Sequence, residues 1–499
     1  MKNFKIYAMG LAMAGALSFT SCAEDYLDTA PTDAVSNVTI AQNMESLYLG
    51  LNGIHRQMIS QESGYQCMGG LGGMMYIMDI EADDITWITN TWMKAAYLGW
   101  QCNTNEQNGY NSVFWRLYYQ WIMNANGLLE VLENTDVNAL SGGDKALYEQ
   151  IKGEALVFRA FSHFQAVQTY ADAYKAGGGN SQPGVPYRTV ANKNEGELAR
   201  STVEETYSLI NADLAEACSL LEGKKITELN HWSAKSAYAV RARVAMAMHD
   251  YTNAAAYAEK SIQLAEAEGG KLMDASNLYN GFADITSTTK EPLYAAMTQD
   301  DQTIYFYSFY AYMSWNFSAT AIRQGVKAIN ADTYDLMSET DLRRAWWDPT
   351  GEMDVPLTSF KKTPYQNRKF TARAVSNAVG DVAFLRLSEM YLTAAEAYAR
   401  GGNTAKAQEI FTKFQITRDP AYAGGGDLIE EIMTSRRIEL WAEGLRYFDL
   451  KRLNLPIKRG RNFDITFCTF LEKKAGEKGW TWEIPKIETD NNPLCEKNY

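Results

Sequence analysis

Two segments of the sequence are patterned as pairs of antiparallel helices, and this pattern constrains the fold more than any other feature. In residues 238–265 (YAVRARVAMAMHDYTNAAAYAEKSIQLA), alanines recur at three- and four-residue spacings, and HDYTNAA occupies the position of the turn. In residues 384–414 (FLRLSEMYLTAAEAYARGGNTAKAQEIFTKF), GGNTAKA occupies that position. Spacings of three and four residues place side chains on one face of a helix. The chain is therefore predicted to build much of its core from helix pairs.

Both segments resemble tetratricopeptide units, in which a Gly-Asp-Tyr type of turn precedes a second alanine-bearing helix. Two further helices are predicted over residues 153–174 and 201–221, and the second opens with Ser201 and Glu204 at the spacing of a capping box. More than a hundred residues separate the two clear pairs, so the units do not form a tandem array. The predicted fold is all-α, a tetratricopeptide-like helix-pair scaffold with a large irregular, loop-rich insertion that forms the ligand face.

The scaffold and the loop-rich portion divide the chain as follows. Helices are predicted over about 41–60, 113–265 and 384–454, and the loop-rich binding portion over about 61–112 and 272–380. The loop-rich segments combine Gly, Pro, Asn and Met with many aromatic residues. Binding residues concentrate on loops that a rigid scaffold holds in place. We therefore expect these loops to form the binding surface.

The most aromatic stretch is YFYSFYAYMSW, residues 305–315, with seven rings in eleven residues. Such runs are usually core, but a tyrosine hydroxyl favours water or a polar partner, so several of these rings are expected to keep one edge exposed. Exposed rings can stack on the apolar faces of sugars. The predicted stacking platforms are Trp87, Trp92, Trp100, Tyr307, Tyr310, Tyr312 and Trp315, and the predicted partners for sugar hydroxyls are Asp84, Gln101 and Asn103.

The N-terminus has the pattern of a bacterial lipoprotein leader. Two lysines precede an apolar run from Ile6 to Phe19, which is too short to span a membrane, and small residues lead to Cys22. The predicted organisation is a signal peptide over 1–22 with Cys22 lipidated, a flexible tether over 23–40, and a single domain over 41–499. Two or three acyl chains would hold the N-terminus on a membrane. An ordinary secreted protein with an incidental cysteine is the alternative.

Charge and residue spacing exclude several classes of function. The formal net charge is -13, and a nucleic-acid partner would need a basic face. The histidines at positions 55, 163, 231 and 249 are distant in sequence, so no pair of metal ligands and no cofactor is predicted. Cys67 and Cys102 flank an aromatic segment, and whether they form a disulfide is left open.

Two groups of carboxylates have spacings that resemble reactive or metal-binding sites. Asp79, Glu81 and Asp83 begin like a calcium loop but lack the glycine and the bidentate glutamate of an EF-hand, which leaves only looser calcium binding possible. Glu439 and Glu443 are spaced like a pair of glycosidase carboxylates. Arg436 and Arg446 flank that pair at helical spacing, so the sequence predicts a neutralised ladder on one helix and no enzymatic activity.

The chain resembles the SusD/RagB-like family of outer-membrane nutrient-binding lipoproteins over nearly its whole length. The block SRRIELWAEGLRYFDLKRLN is the most distinctive part of the match. The other matching segments are YLDTAPTD, EALVFRAFSHFQAVQTYADAY, GVPYRT, STVEETYSLINADLAEA, FLRLSEMYLTAAEAYARGG and EIPKIETDNNPLCEKNY.

The resemblance implies a non-enzymatic protein on the cell exterior that captures oligosaccharides and delivers them to a SusC-like TonB-dependent transporter. Within the family, a peptide-binding subunit of the RagB kind is the alternative. Outside this reading, a lipid-anchored glycosidase and a pure assembly scaffold are the remaining candidates.

Overall fold

Helices dominate the structure. The computed structural model describes residues 43–61, 69–87, 98–191, 196–299 and 308–499. Within these ranges, eleven helices have seven or more residues and are numbered in chain order. They are α1 Met44–Gln57, α2 Gly70–Glu81, α3 Gly109–Glu133, α4 Gly142–Tyr170, α5 Val203–Leu221, α6 Ala234–Ala247, α7 Tyr251–Ala267, α8 Leu387–Arg400, α9 Thr404–Gln415, α10 Leu428–Glu439 and α11 Arg446–Arg452.

The remaining elements are short. The strands are β1 Ile85–Trp87, β2 Pro292–Ala296, β3 Lys327–Ile329, β4 Trp347–Asp348, β5 Gln366–Asn367, β6 Val382–Arg386, β7 Ile457–Lys458 and β8 Glu472–Lys473. The short helices are Val137–Ala139, Ile285–Thr288, Phe309–Met313, Thr320–Arg323, Ala331–Tyr334, Leu342–Trp346, Ile465–Cys468 and Lys486–Asn491. Residues Tyr48–Tyr499 form one compact unit. The prediction of an all-α fold is confirmed.

The two predicted helix pairs are present, as α6 with α7 and α8 with α9, and α7 packs against α8 to join the pairs. Small side chains fill the contact: Ala245, Ala254 and Ala397 are almost fully buried in one cluster. His249 adopts a φ of 59° in the turn of the first pair, and Asp250 caps α7 by accepting a hydrogen bond from a backbone N–H. The alanine periodicity therefore identified the faces that pack.

The boundaries of two other scaffold helices differ from the prediction. Helix α4 begins at Gly142 and ends at Tyr170, so it is longer than the predicted helix at its N-terminal end. Helix α5 does have a capping box, but its members are Thr202 and Glu205, one residue after the predicted pair. Serine and threonine are both good N-caps, and only the backbone path decides which of two adjacent residues takes the position.

Helix α2 is the main correction to the predicted loop-rich portion. Its sequence GLGGMMYIMDIE was assigned to a loop because it is rich in glycine, but every residue of it is buried. A helix that is apolar on all sides belongs in the interior. Gly70, at its start, has a φ of 57° and approaches Met58 more closely than any side chain would allow.

Three small antiparallel sheets occur in the described residues. The largest has the strand order β1-β3-β5-β4, and Trp87 of β1 lies opposite Lys327 of β3. Strands β2 and β6 form a second sheet, and β7 and β8 form a third. The predicted insertion over 272–380 is thus irregular but ordered by short strands and helices. Within the described part of the chain, no helix has both the length and the hydropathy needed to cross a bilayer.

His163 in α4 makes the stability of the fold depend on pH. Its Nδ1 lies 2.8 Å from the Arg159 carbonyl oxygen, and its Nε2 accepts the Arg188 backbone N–H at 3.1 Å, so the ring is neutral. Burial lowers the pKa of His163 to about 3. In the unfolded chain the ring protonates near pH 6.5. As the pH is lowered from 6.5, the contribution of His163 to the free energy of unfolding should therefore decrease by up to about 1.4 kcal/mol per pH unit.

We expect the H163Q variant to be less stable than the wild type at pH 7 and to approach it as the pH falls towards 4.5. Urea unfolding of both proteins at several pH values measures this difference. If the two stability curves run parallel over this range, His163 does not titrate as its environment requires.

Candidate functional site

Trp87 and Tyr312 are in the interior and do not form an exposed platform. Their exposed fractions are 2% and 3%. The Lys327 Nζ lies 4.3 Å from the Trp87 ring centre and 5.8 Å from that of Tyr312, and it donates to the Ala321 carbonyl oxygen at 2.7 Å. Burial lowers the pKa of Lys327 well below its ordinary value. The expectation of an exposed ring is wrong at these two positions, because β1, β3 and the helix Phe309–Met313 enclose them around one lysine.

Trp100 and Tyr310 are also buried, so the expectation of exposed rings is wrong for them as well. The Trp100 indole N–H donates to the Glu81 carbonyl oxygen at 2.9 Å, and its ring packs edge-on against Phe470 and Trp480. The Tyr310 hydroxyl donates to a backbone carbonyl oxygen at 3.1 Å. Internal carbonyl groups thus supply the polar partners that these rings were expected to find in water.

Two of the three predicted partners for sugar hydroxyls are likewise engaged inside the protein. Asp84 accepts hydrogen bonds from Arg437 at 2.6 Å and from Thr333 at 2.9 Å. The Asn103 side-chain amide donates to Glu81 at 2.8 Å. Both residues are buried, which corrects their assignment to a ligand surface. Gln101 is exposed, as the prediction requires.

Trp315 keeps part of its ring at the surface. It is half-buried, and its indole N–H donates to the Thr371 hydroxyl at 2.8 Å. The segment beside Thr371 carries Tyr279, whose side chain is 41% exposed, and the Arg368 guanidinium lies 5.3 Å from its ring centre. We call Trp315, Thr371, Tyr279 and Arg368 the Trp315 surface. No sequence pattern indicated Tyr279 as a contact residue, because NLYNGF is typical of an ordinary turn.

The remaining predicted platforms, Trp92 and Tyr307, lie outside the described residues. The same holds for Cys67 and Cys22. The Cys102 thiol is buried and donates to the Glu81 carboxylate at 3.2 Å. Its pairing with Cys67 stays an open prediction, because Cys67 is not described.

An open cleft in the scaffold is a second candidate surface. It has a volume of about 550 Å³ between the end of α4, the α6–α7 turn and α11, which suits a small ligand. Tyr174, Tyr251 and Trp480 contribute rings to its lining, which also includes Lys451. Burial lowers the pKa of Lys451 to about 7, and its Nζ donates to two backbone carbonyl oxygens at the end of α4. The sequence contained no local signal for this cleft, because distant segments form it.

The carboxylates that resemble a glycosidase pair are neutralised, but the cations that neutralise them do not lie on the same helix. Helix α10 ends at Glu439, and Ala442 and Gly444 then adopt positive φ angles that turn the chain. The Glu443 carboxylate accepts hydrogen bonds from Lys369 and Arg386, both at 2.7 Å. Burial alone would raise the pKa of Glu443, yet these cations lower it below its ordinary value. An ionised, paired carboxylate cannot serve as a general acid.

Arg436 and Arg446, the cations predicted to flank that pair, have other partners. Arg436 pairs with Asp449 at 2.7 Å, and Arg446 pairs with Asp83 at 2.8 Å. Asp79 instead accepts two backbone N–H groups at the start of α11, and burial raises its pKa to about 7. Asp79, Glu81 and Asp83 therefore point to separate protein partners, which does not fit a shared calcium ion.

Two histidines that are distant in sequence meet in space. His55 Nε2 and His231 Nδ1 lie 2.7 Å and 3.0 Å from the same carboxylate oxygen of Glu154, and all three residues are buried. Burial would raise the pKa of Glu154, but hydrogen bonds from His231 and His55 lower it to about 2. Burial lowers the pKa of His55. The prediction that no histidines pair is therefore wrong, and this cluster is the group among the described residues that could hold a metal ion.

Two family models match the chain, one in each half of the sequence. Residues 25–246 match the SusD-like family described as "Starch-binding associating with outer membrane", and residues 250–499 match the SusD family. No curated protein sequence matches the chain.

Several solved structures share this fold. A SusD superfamily protein from Bacteroides thetaiotaomicron is 21% identical with a TM-score of 0.78, and the match covers 92% of this chain and 100% of that chain. A SusD-like carbohydrate binding protein from Bacteroides vulgatus is 20% identical with a TM-score of 0.76, covering 91% and 97%. A laminarin binding SusD-like protein is 19% identical with a TM-score of 0.70, covering 91% and 99%. With family matches to both halves of the sequence and the same helical fold throughout, this chain belongs to the SusD family.

Proposed function

We propose that this protein is a cell-surface lipoprotein that captures oligosaccharides and delivers them to a SusC-like TonB-dependent transporter. The observation that carries the proposal is membership of the SusD family, whose matching description names starch binding and the outer membrane. Structural relatives named for carbohydrate and laminarin binding support it. The leader that ends at Cys22 would supply the lipid anchor in the outer membrane.

Binding without catalysis is the expected activity. Glu439 and Glu443 are fixed by buried cations, so neither can exchange a proton with a glycosidic oxygen. Weak binding of an intact glycan is sufficient for a protein that transfers its ligand to a transporter. Release of reducing ends from a glycan by the purified protein would argue against this part of the proposal.

The Trp315 surface is the proposed contact with the glycan. The partly exposed Trp315 can cover one apolar sugar face, and Tyr279, which is 41% exposed, adds a second ring. Thr371 and Arg368 add polar groups that can reach sugar hydroxyls. Gln101, which is exposed, stays a further predicted contact, and Trp92 and Tyr307 stay predicted platforms.

The W315A substitution is expected to weaken glycan binding about tenfold. A ring that covers roughly 55 Å² of sugar contributes about 1.4 kcal/mol at 25 cal/mol per Å². Calorimetry of the full-length lipoprotein in detergent against laminarin, starch and other oligosaccharides measures the loss. The matched control is Y174A, which removes a half-buried ring from the scaffold cleft and should leave the affinity unchanged.

Three outcomes would change the proposal. If Y174A weakens binding and W315A does not, the glycan occupies the scaffold cleft. Binding of peptides with no response to any glycan would replace the oligosaccharide by a peptide as the ligand. Co-purification with a β-barrel transporter but no ligand affinity would favour an assembly scaffold.

A further inference from the structure

A buried cluster of His55, Glu154 and His231 has the composition of a metal site. The residues come from α1, from α4 and from the segment before α6, and their nitrogen and oxygen atoms lie within 4.8 Å of one another. The two ring centres are 4.4 Å apart. Two imidazole nitrogens and one carboxylate oxygen are a donor set that zinc uses with a fourth position left for water. Borderline transition metals suit such nitrogen and oxygen ligands better than calcium does.

The outward nitrogens of both rings already have the partners that a metal site needs. The His55 Nδ1 lies 3.0 Å from the Tyr294 hydroxyl, and the His231 Nε2 lies 3.4 Å from the Tyr48 hydroxyl. A ligating imidazole keeps its proton on the nitrogen that faces away from the metal and donates it to a nearby acceptor. Each hydroxyl can accept such a bond. A change of tautomer therefore frees both inward nitrogens without removing a proton from either ring.

The carboxylate of Glu154 is also held in place from outside the cluster. The Gln150 side-chain amide donates to its Oε1 at 2.9 Å, and the Trp232 backbone N–H donates to its Oε2 at 2.9 Å. Bonds of 2.0–2.1 Å to a tetrahedral zinc separate its ligand atoms by about 3.3 Å. The present distances of 2.7 Å and 3.0 Å to that oxygen would need to open by about 0.6 Å and about 0.3 Å.

The Tyr48 ring packs directly on His231 at one side of the cluster. Tyr48 is half-buried, and its ring stacks on His231 with the centres 5.3 Å apart and the planes 10° from parallel. Tyr48 is thus a partly exposed neighbour of His231, whereas the three residues of the cluster are buried.

We propose that His55 Nε2, His231 Nδ1 and the Glu154 carboxylate bind one divalent transition-metal ion, with zinc as the first candidate. The ion would tie α1 to α4 and to the segment that leads into α6. This site is independent of the carbohydrate function.

The test is titration of the full-length lipoprotein with cobalt(II) after treatment with a chelator. We expect one cobalt ion per chain, with visible absorption bands of a low-symmetry nitrogen and oxygen site, and their loss when one equivalent of zinc is added. The H231Q substitution should weaken binding by more than about 100-fold. Y294F removes only a hydroxyl that positions His55 and should weaken it by roughly tenfold, which is the usual effect of losing such a partner.

The control is H249Q, because His249 lies in the α6–α7 turn, outside the cluster, and this variant should bind cobalt like the wild type. If H231Q does not fold, the Y294F variant and the zinc competition still decide the question. Absence of cobalt bands in the wild type, or equal cobalt affinity of the wild type and Y294F, would mean that the cluster is only a hydrogen-bonded network.

Discussion

The E439Q substitution is expected to lower the free energy of unfolding by about 3–5 kcal/mol. The Glu439 carboxylate is fully buried and lies 3.0 Å from two nitrogens of Arg418, 3.1 Å from Arg386 and 3.4 Å from Arg343. Burial alone would raise the pKa of Glu439, but Arg418 and Arg386 lower it far below its ordinary value. Glutamine keeps the shape of the side chain and removes the charge that three guanidinium groups share. Those cations would stay buried with too little compensating charge.

The control for this prediction is E409Q. Glu409 pairs with Lys406 at 2.9 Å on the exposed side of α9, and exposed ion pairs contribute little to stability. Urea unfolding compares the two substitutions. The dependence of the unfolding free energy on urea concentration should be checked for each variant. A small effect of E439Q would show that water or the neighbouring Glu291 and Glu443 compensate the guanidinium charges on their own.

The G70A substitution is expected to cost about 2–5 kcal/mol, because a methyl group at this position meets the backbone. Gly70 has a φ of 57°, and a Cβ there would lie 2.0 Å from the Met58 carbonyl oxygen and 2.8 Å from the Ile59 nitrogen. The same Met58 oxygen accepts the Leu71 backbone N–H at 2.8 Å. Moving the carbonyl away to admit the methyl group would therefore also break a hydrogen bond at the start of α2.

The matched control is G53A, within α1. A Cβ at Gly53 meets nothing within 4 Å, and alanine favours a helix over glycine, so this change should stabilise the protein by up to about 1 kcal/mol. The denaturation midpoints of G70A, G53A and the wild type test both predicted changes in stability. Equal stability of G70A and wild type would mean that α2 can shift as a body away from Met58.

Local patterns in the sequence predicted the scaffold well. The alanine periodicity located α6–α9, because side chains three and four residues apart share a face whatever the rest of the chain does. The same reasoning failed for Glu439 and Glu443, which were placed with Arg436 and Arg446 on one helix. That helix ends at Glu439, the chain turns at Ala442 and Gly444, and residues such as Arg386 and Lys369 balance the charge instead.

The predicted ligand residues show where composition misleads. Trp87, Trp100 and Tyr312 were assigned to a surface because their segments contain glycine, asparagine and many rings. Each of these rings is enclosed by elements that are distant in sequence, as Trp100 is by Phe470 and Trp480. Burial is a property of the assembled core, so no local window of sequence reports it directly.

The sequence by itself determined the helix-pair architecture, the SusD resemblance and the expectation of a lipid-anchored binding protein, because periodicity and motifs are properties of neighbouring residues. Only the tertiary structure decided which rings stay at the surface and which charges meet. It brought His55 to His231 across 176 residues of chain, a contact that depends on how whole helices pack and that sequence spacing does not encode.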